Sequence, residues 1–158
     1  MTAANFPLSW SYVLNDEGGF GEGPWEPGGA VNKGVSYKTF KWWRMQIKHL
    51  PEPNLDDLKA LTDEESGEIY KHLFWDPLHC DDLPNGLDYA VFNTAIMQGV
   101  DGANTIFAKA RSSTVLETID GIIIGHLLAK MAAPNIGKFA GGWGPRIERV
   151  WNRAKAML

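Results

Sequence analysis

At 158 residues, with 44% hydrophobic and 22% charged side chains, the chain has the composition of one soluble globular domain, long enough to close a hydrophobic core. Its formal net charge of −4 excludes a general nucleic-acid binder, which needs a basic face. A single cysteine, Cys80, excludes an internal disulfide, and the longest apolar run, Ile119 to Ala133, carries Asp120, His126 and Lys130 and is too short to span a bilayer.

The first helix is predicted from about Pro7 to Asp16. Phe6, Trp10, Val13 and Glu17 fall at i, i+4, i+7 and i+11, one face of a helix, so Glu17 continues the apolar stripe. A carboxyl held against Trp and Val loses hydration, which favours its neutral, proton-donating form. Gly18 and Gly19 also suit a plain helix stop, with Glu17 a partly buried last-turn residue. Spacing alone leaves both readings open. Residues 18–36 hold seven Gly and two Pro, too many for regular structure beyond a short hairpin.

Ser36 has the place of an N-cap for a second helix, Tyr37 to about His49, ended by Pro51 and Pro53. Thr62-Asp63-Glu64-Glu65 has the capping-box form and opens a helix to about Phe74. Another follows from about Gly86 to Gln98, with Gly99 as its stop. Residues 102–111 and about 121–133 are further helices, the second ended by Pro134, and Pro145 suits the first turn of a last helix. In that helix Ile147, Val150, Trp151 and Ala154 recur at core spacing. Residues 129–158 hold six Lys or Arg against the single acid Glu148, while residues 1–128 hold nine against eighteen. A basic last helix on an acidic body suits an anionic polymer or membrane surface, and equally a solvated face.

Seven tryptophans are many for this length. Exposed Trp and Tyr are flat platforms for sugar rings, whereas Trp10 and Trp151, at helical core spacing, read as core. His79-Cys80-Asp81-Asp82 contains metal-ligand residue types, but adjacent loop residues seldom chelate one ion, and no zinc or EF-hand spacing accompanies them. There is no nucleophile-elbow pattern, and the glycine-rich segment lacks the Lys-Ser/Thr ending of a phosphate loop.

Glu17-Gly18-Gly19-Phe20, Pro27-Gly28-Gly29-Ala30, Gly34-Val35-Ser36, Ile69-Tyr70, Phe74-Trp75-Asp76-Pro77 and Asp82-Leu83-Pro84, in this order and spacing, resemble glycoside hydrolase family 108. That family comprises lysozyme-like N-acetylmuramidases of phage endolysin type. The later Ala90-Val91-Phe92-Asn93, Gly99 and Gly142-Trp143 with Arg146 resemble the peptidoglycan-binding segment that accompanies it.

The resemblance implies a mainly α, lysozyme-like domain with a small β-like glycine-rich loop after the first helix. Within one compact domain it divides a catalytic part, residues 6–95, from a peptidoglycan-binding-like part, 96–158. It implies Glu17 as the catalytic acid, cleaving between N-acetylmuramic acid and N-acetylglucosamine, with no metal or organic cofactor. Glu26, at a position usually acidic in the family and more often Asp, is the candidate second carboxylate. Asp16 and Glu22 are nearby alternatives, Asp16 on the face away from Glu17. Trp25, Tyr37, Trp75 and Asn93 are the candidate substrate contacts.

The chain departs from the family pattern at Val31, where Thr or Ser is common, leaving Ser36 as the hydroxyl at the end of that loop. Asn93 and Met97 stand where Asp and Asn are usual. Two other functional classes therefore stay open: a lytic transglycosylase, which needs one acid/base group, and a catalytically silent peptidoglycan-binding or release factor. The expected partner is the peptidoglycan glycan strand, met by a monomer without nucleic acid or stable membrane insertion. No signal peptide is visible at the start of the sequence, so synthesis in the cytoplasm and action at the cell wall or periplasm after release are expected, helped by a holin or other export partner.

Overall fold

The computed structural model describes residues 5–22, 29–132 and 136–158, the side chains of 136–143 excepted. Backbone contacts gather the chain into two compact units, one of Trp10–Lys71 and one of Met1–Ser9 with His72–Leu158. Among the described residues the architecture is mainly α with one two-stranded hairpin.

The first helix, α1, spans Asn5–Asp16. Trp10 and Val13 are buried on its inner face, as the stripe predicts, and the Glu17 amide continues the helical pattern by donating to the Val13 carbonyl at 3.0 Å. Strands β1 (Val31–Asn32) and β2 (Val35–Ser36) pair antiparallel, with Asn32 opposite Val35. Gly21 exchanges two backbone hydrogen bonds of 2.8 Å with Val31 on the other edge.

Ser36 caps α2 (Tyr37–Trp42) as expected, accepting from the Thr39 amide at 3.2 Å. The predicted single helix to His49 instead loosens into a π-helical turn over Trp43–Ile47. The short α3 (Leu55–Lys59) begins with an Asn54–Asp57 capping box that sequence inspection passed over, because Pro51 and Pro53 dominate that stretch. Thr62 caps α4 (Asp63–Tyr70) through the Glu65 amide. Glu65 turns its carboxylate to Arg44 at 3.6 Å, and Lys71–Trp75 continues the helix as a π turn.

In the second unit Phe6, Trp75 and Phe92 form an edge-to-face trio, with ring centroids 5.2 to 5.8 Å apart. Such a cluster adds about 0.5–1.5 kcal/mol per pair beyond area burial. Two 3-10 turns, Asp76–Leu78 and Cys80–Asp82, lead to α5 (Leu87–Ala110). The predicted stop at Gly99 is a kink there: φ 76 and ψ 165 break the helix for one residue, after which it resumes. The separate helix expected at 102–111 is therefore the second arm of α5.

Helix α6 (Val115–Met131) starts six residues earlier than expected, because Thr114 caps it through the Glu117 amide. The expected stop at Pro134 lies outside the described residues. Gly121 and Gly125 let α6 approach α5, since a Cβ there would stand 2.9 Å from Ala110 and 2.8 Å from Ile106. Two expectations fail in α7 (Ile136–Ala156). Pro145 lies inside this helix and does not start it, so one internal backbone bond is forgone, while Ile147, Val150 and Ala154 are buried as the spacing predicts. Trp151 is exposed, not core: its indole donates to Asp120 at 2.6 Å, and the Lys155 ammonium covers its ring.

Candidate active site

The hairpin tip is a two-residue turn in which Lys33 (φ 50) and Gly34 (φ 75) both take positive φ, the type I′ geometry that matches strand twist. Side chains on either side of the turn anchor it. Asn32, buried, donates from its amide to the Leu58 and Lys59 carbonyls at 2.9 and 3.2 Å, satisfying the end of α3. Lys33 pairs with Asp63 at the start of α4. That ion pair is partly exposed, so it orients the turn more than it stabilises it.

Gly34 therefore sits where a side chain has no room. A Cβ at this position would stand 2.2 Å from the Tyr70 hydroxyl oxygen, 2.8 Å from Glu17 Oε2 and 3.1 Å from Glu17 Cδ. The hydroxyl and the carboxylate thus both approach the bare Gly34 Cα. Glu17 is half-buried at the end of α1, and Tyr70 is the last residue of α4, 5% exposed. Its ring lies 4.7 Å from that of Trp10, whose indole N–H donates to the Asp63 carbonyl at 3.0 Å. Gly67 makes room for this indole, as a Cβ there would stand 3.0 Å from its Nε1.

Chemically, the arrangement is a carboxyl group partly withdrawn from water, with a phenol and the bare Gly34 Cα close to one of its oxygens. A carboxyl so placed can hold a proton and deliver it to an oxygen leaving group. Among the described residues no three His, Cys, Asp or Glu side chains converge as a metal cage. Within the His79–Asp82 stretch, Cys80 is buried and Asp81 accepts the Trp75 indole N–H at 2.8 Å.

The other residues singled out from sequence have varied placements. Glu26 and Trp25 lie outside the described residues. Tyr37 opens α2 in the same unit as Glu17, but its hydroxyl is committed to the Pro53 carbonyl at 2.5 Å. Ser36 spends its hydroxyl on capping α2 and on Thr39. Val31 joins the hairpin through its backbone and leaves no hydroxyl there. Glu22 is exposed, and Asp16 is half-buried.

Trp75 and Asn93 belong to the other unit, and both are 0% exposed. Trp75 is a correction: with its faces inside the aromatic trio and its N–H on Asp81, no indole surface is open for a sugar ring. Asn93 is buried with neither amide atom hydrogen-bonded, so it too offers no surface contact. The sequence reading passed over Tyr70 and Asn32 as site residues. The family motifs Gly34-Val35-Ser36 and Ile69-Tyr70 contain two residues of this corner, but no spacing rule brings them together.

Against known proteins, the family model described as Glycosyl hydrolase 108 matches residues 10–99, which include Glu17, Gly34 and Tyr70. Among solved structures, SagA from Brucella abortus is similar with a TM-score of 0.82 and 26% sequence identity, covering 99% of this chain and 97% of that one. No curated protein matches the sequence.

Proposed function

Because the chain belongs to glycosyl hydrolase family 108, we propose that Glu17 is the proton donor with which it cleaves the bond between N-acetylmuramic acid and N-acetylglucosamine. Membership makes the chain a glycoside hydrolase acting on peptidoglycan, and its mainly α architecture is lysozyme-like. The finer assignment rests on one observation: Glu17 brings its carboxyl, half-buried, to the Gly34 Cα and the Tyr70 hydroxyl.

In the reaction, protonated Glu17 gives its proton to the glycosidic oxygen as the bond to the muramic C1 breaks. Positive charge develops on the ring oxygen and C1, and the ionised Glu17 carboxylate then takes a proton from the water that adds to C1. Glu26 is the proposed second carboxylate, stabilising that charge or activating the water, and Trp25 is the proposed sugar contact in the same loop. The biological role that follows is cell lysis or release, with action at the cell wall and delivery by a holin-like or other export partner.

The test is digestion of purified peptidoglycan, with mass spectrometry of the products before and after borohydride reduction. Reducing N-acetylmuramic ends, absent with Glu17→Gln, are the expected result, since the amide keeps the shape but cannot donate the proton. Anhydro-muramic ends would make the enzyme a transglycosylase, and full activity in the Gln variant would refute Glu17 as the acid.

A further inference from the structure

We propose that Tyr70 is the positioning residue of Glu17, its hydroxyl donating to Glu17 Oε2 so that the catalytic proton is carried on Oε1. The proposal rests on the reading of Glu17 as the acid and names what orients it.

The geometry is that of a brace between two helices. Trp10 and Glu17 lie seven residues apart at α1 and its end, and Asp63 and Tyr70 lie seven residues apart at the two ends of α4. Seven residues advance a helix by about 10 Å. Trp10 reaches the Asp63 carbonyl at one level, and Tyr70 and Glu17 approach the same Gly34 Cα at the next. Trp10 thus makes one tie between the two helices, and the proposed second tie falls on the Glu17 carboxyl at a matched height. The Tyr70 ring is fixed against Trp10, which leaves its hydroxyl little freedom to swing away.

The Gly34 turn closes the remaining side. Asn32 and Lys33 hold the turn to α3 and α4, and the bare Gly34 Cα leaves just enough room for the two oxygens. A phenol donates one hydrogen bond, and an ionised carboxylate accepts through both oxygens. A donor fixed on Oε2 leaves Oε1 to carry the proton, so one of the two carboxyl orientations is selected. After proton transfer the same bond stabilises the carboxylate until water restores the proton. Tyr70 touches no reacting atom in this scheme and acts through Glu17 alone.

The experiment compares kcat and KM of Tyr70→Phe with those of the unaltered protein in reducing-end release from peptidoglycan. Phe keeps the ring on Trp10 and removes only the hydroxyl. The expected result is a fall in kcat of about 10- to 100-fold with KM within about twofold, since misorienting a proton donor slows chemistry without weakening binding. An unchanged kcat, or a KM that rises in step with the loss of turnover, would overturn the proposal.

If Tyr70→Phe does not fold, the Tyr70 hydroxyl proton of the unaltered protein is followed by NMR. It should be protected from exchange and lose that protection in Glu17→Ala; retention in that variant would overturn the proposal. Activity in Glu17→Gln would instead sink the acid assignment itself, so the two failures remain distinguishable.

Discussion

Replacing Gly34 by alanine tests the site through its tightest contact. The added methyl would stand 2.2 Å from the Tyr70 hydroxyl oxygen and 2.8 Å from Glu17 Oε2, whereas carbon and oxygen in contact keep roughly 3.3 Å or more. Relief requires one partner to retreat by about 1 Å. Tyr70 cannot move cheaply, because its ring packs tilted against Trp10 and the indole is bonded to Asp63. The turn is tied down by Asn32 and Lys33.

The backbone adds its own cost, since φ at Gly34 is +75 and an L residue there pays about 1 kcal/mol or more. With overpacking of about 1–3 kcal/mol, the variant should lose about 2–4 kcal/mol of stability. A displacement of that size at the acid should also cut kcat by about a hundredfold in the molecules that stay folded. Urea unfolding gives the first quantity, and reducing-end release below the unfolding transition gives the second. Stability within 0.5 kcal/mol of the unaltered protein (about the noise of surface substitutions) together with near-normal turnover would refute the geometric argument.

Further outcomes follow from the second unit. His126 on α6 is 1% exposed; burial, and then Lys130 and Arg146 nearby, push its imidazole from 6.5 down to about 4. The unfolded chain therefore binds the extra proton first, so the stability due to neutral His126 is full above pH 6.5 and is lost as pH falls from 6.5 towards 4. The shift corresponds to about 3 kcal/mol across that window. Urea midpoints between pH 7 and 4 should fall less steeply in His126→Leu, and parallel curves would contradict this. Trp75→Ala should cost about 3–5 kcal/mol by emptying the aromatic trio. If glycan affinity fell in Trp75→Phe with stability unchanged, its core assignment would be wrong.

Local features were legible in the sequence where a short-range rule suffices. The period of Phe6, Trp10, Val13 and Glu17 gave α1 and the inward turn of Glu17. The hydroxyls of Ser36 and Thr62 marked helix starts, because an N-cap needs only a side-chain oxygen and an amide three residues on. Ile147, Val150 and Ala154 marked the buried face of α7. The family motifs, spread through the matched stretch 10–99, carried the class of chemistry.

What tertiary structure alone decided is long-range. Tyr70 comes to Glu17 across more than fifty residues of chain, and no periodicity encodes which side chain will fill the space beside a glycine. Trp75 and Trp151 look alike as aromatic residues in helical surroundings. Yet one is sealed by Phe6 and Phe92, while the other remains exposed against Asp120, because burial depends on what packs over a face. Pro145 sits within α7 for a similar reason: local preference would place it at a helix start, but the helix runs through it and forgoes one backbone bond. The carboxyl at the end of α1 and the glycine-rich turn were legible in the sequence; only the folded chain brought the Tyr70 phenol to the same corner.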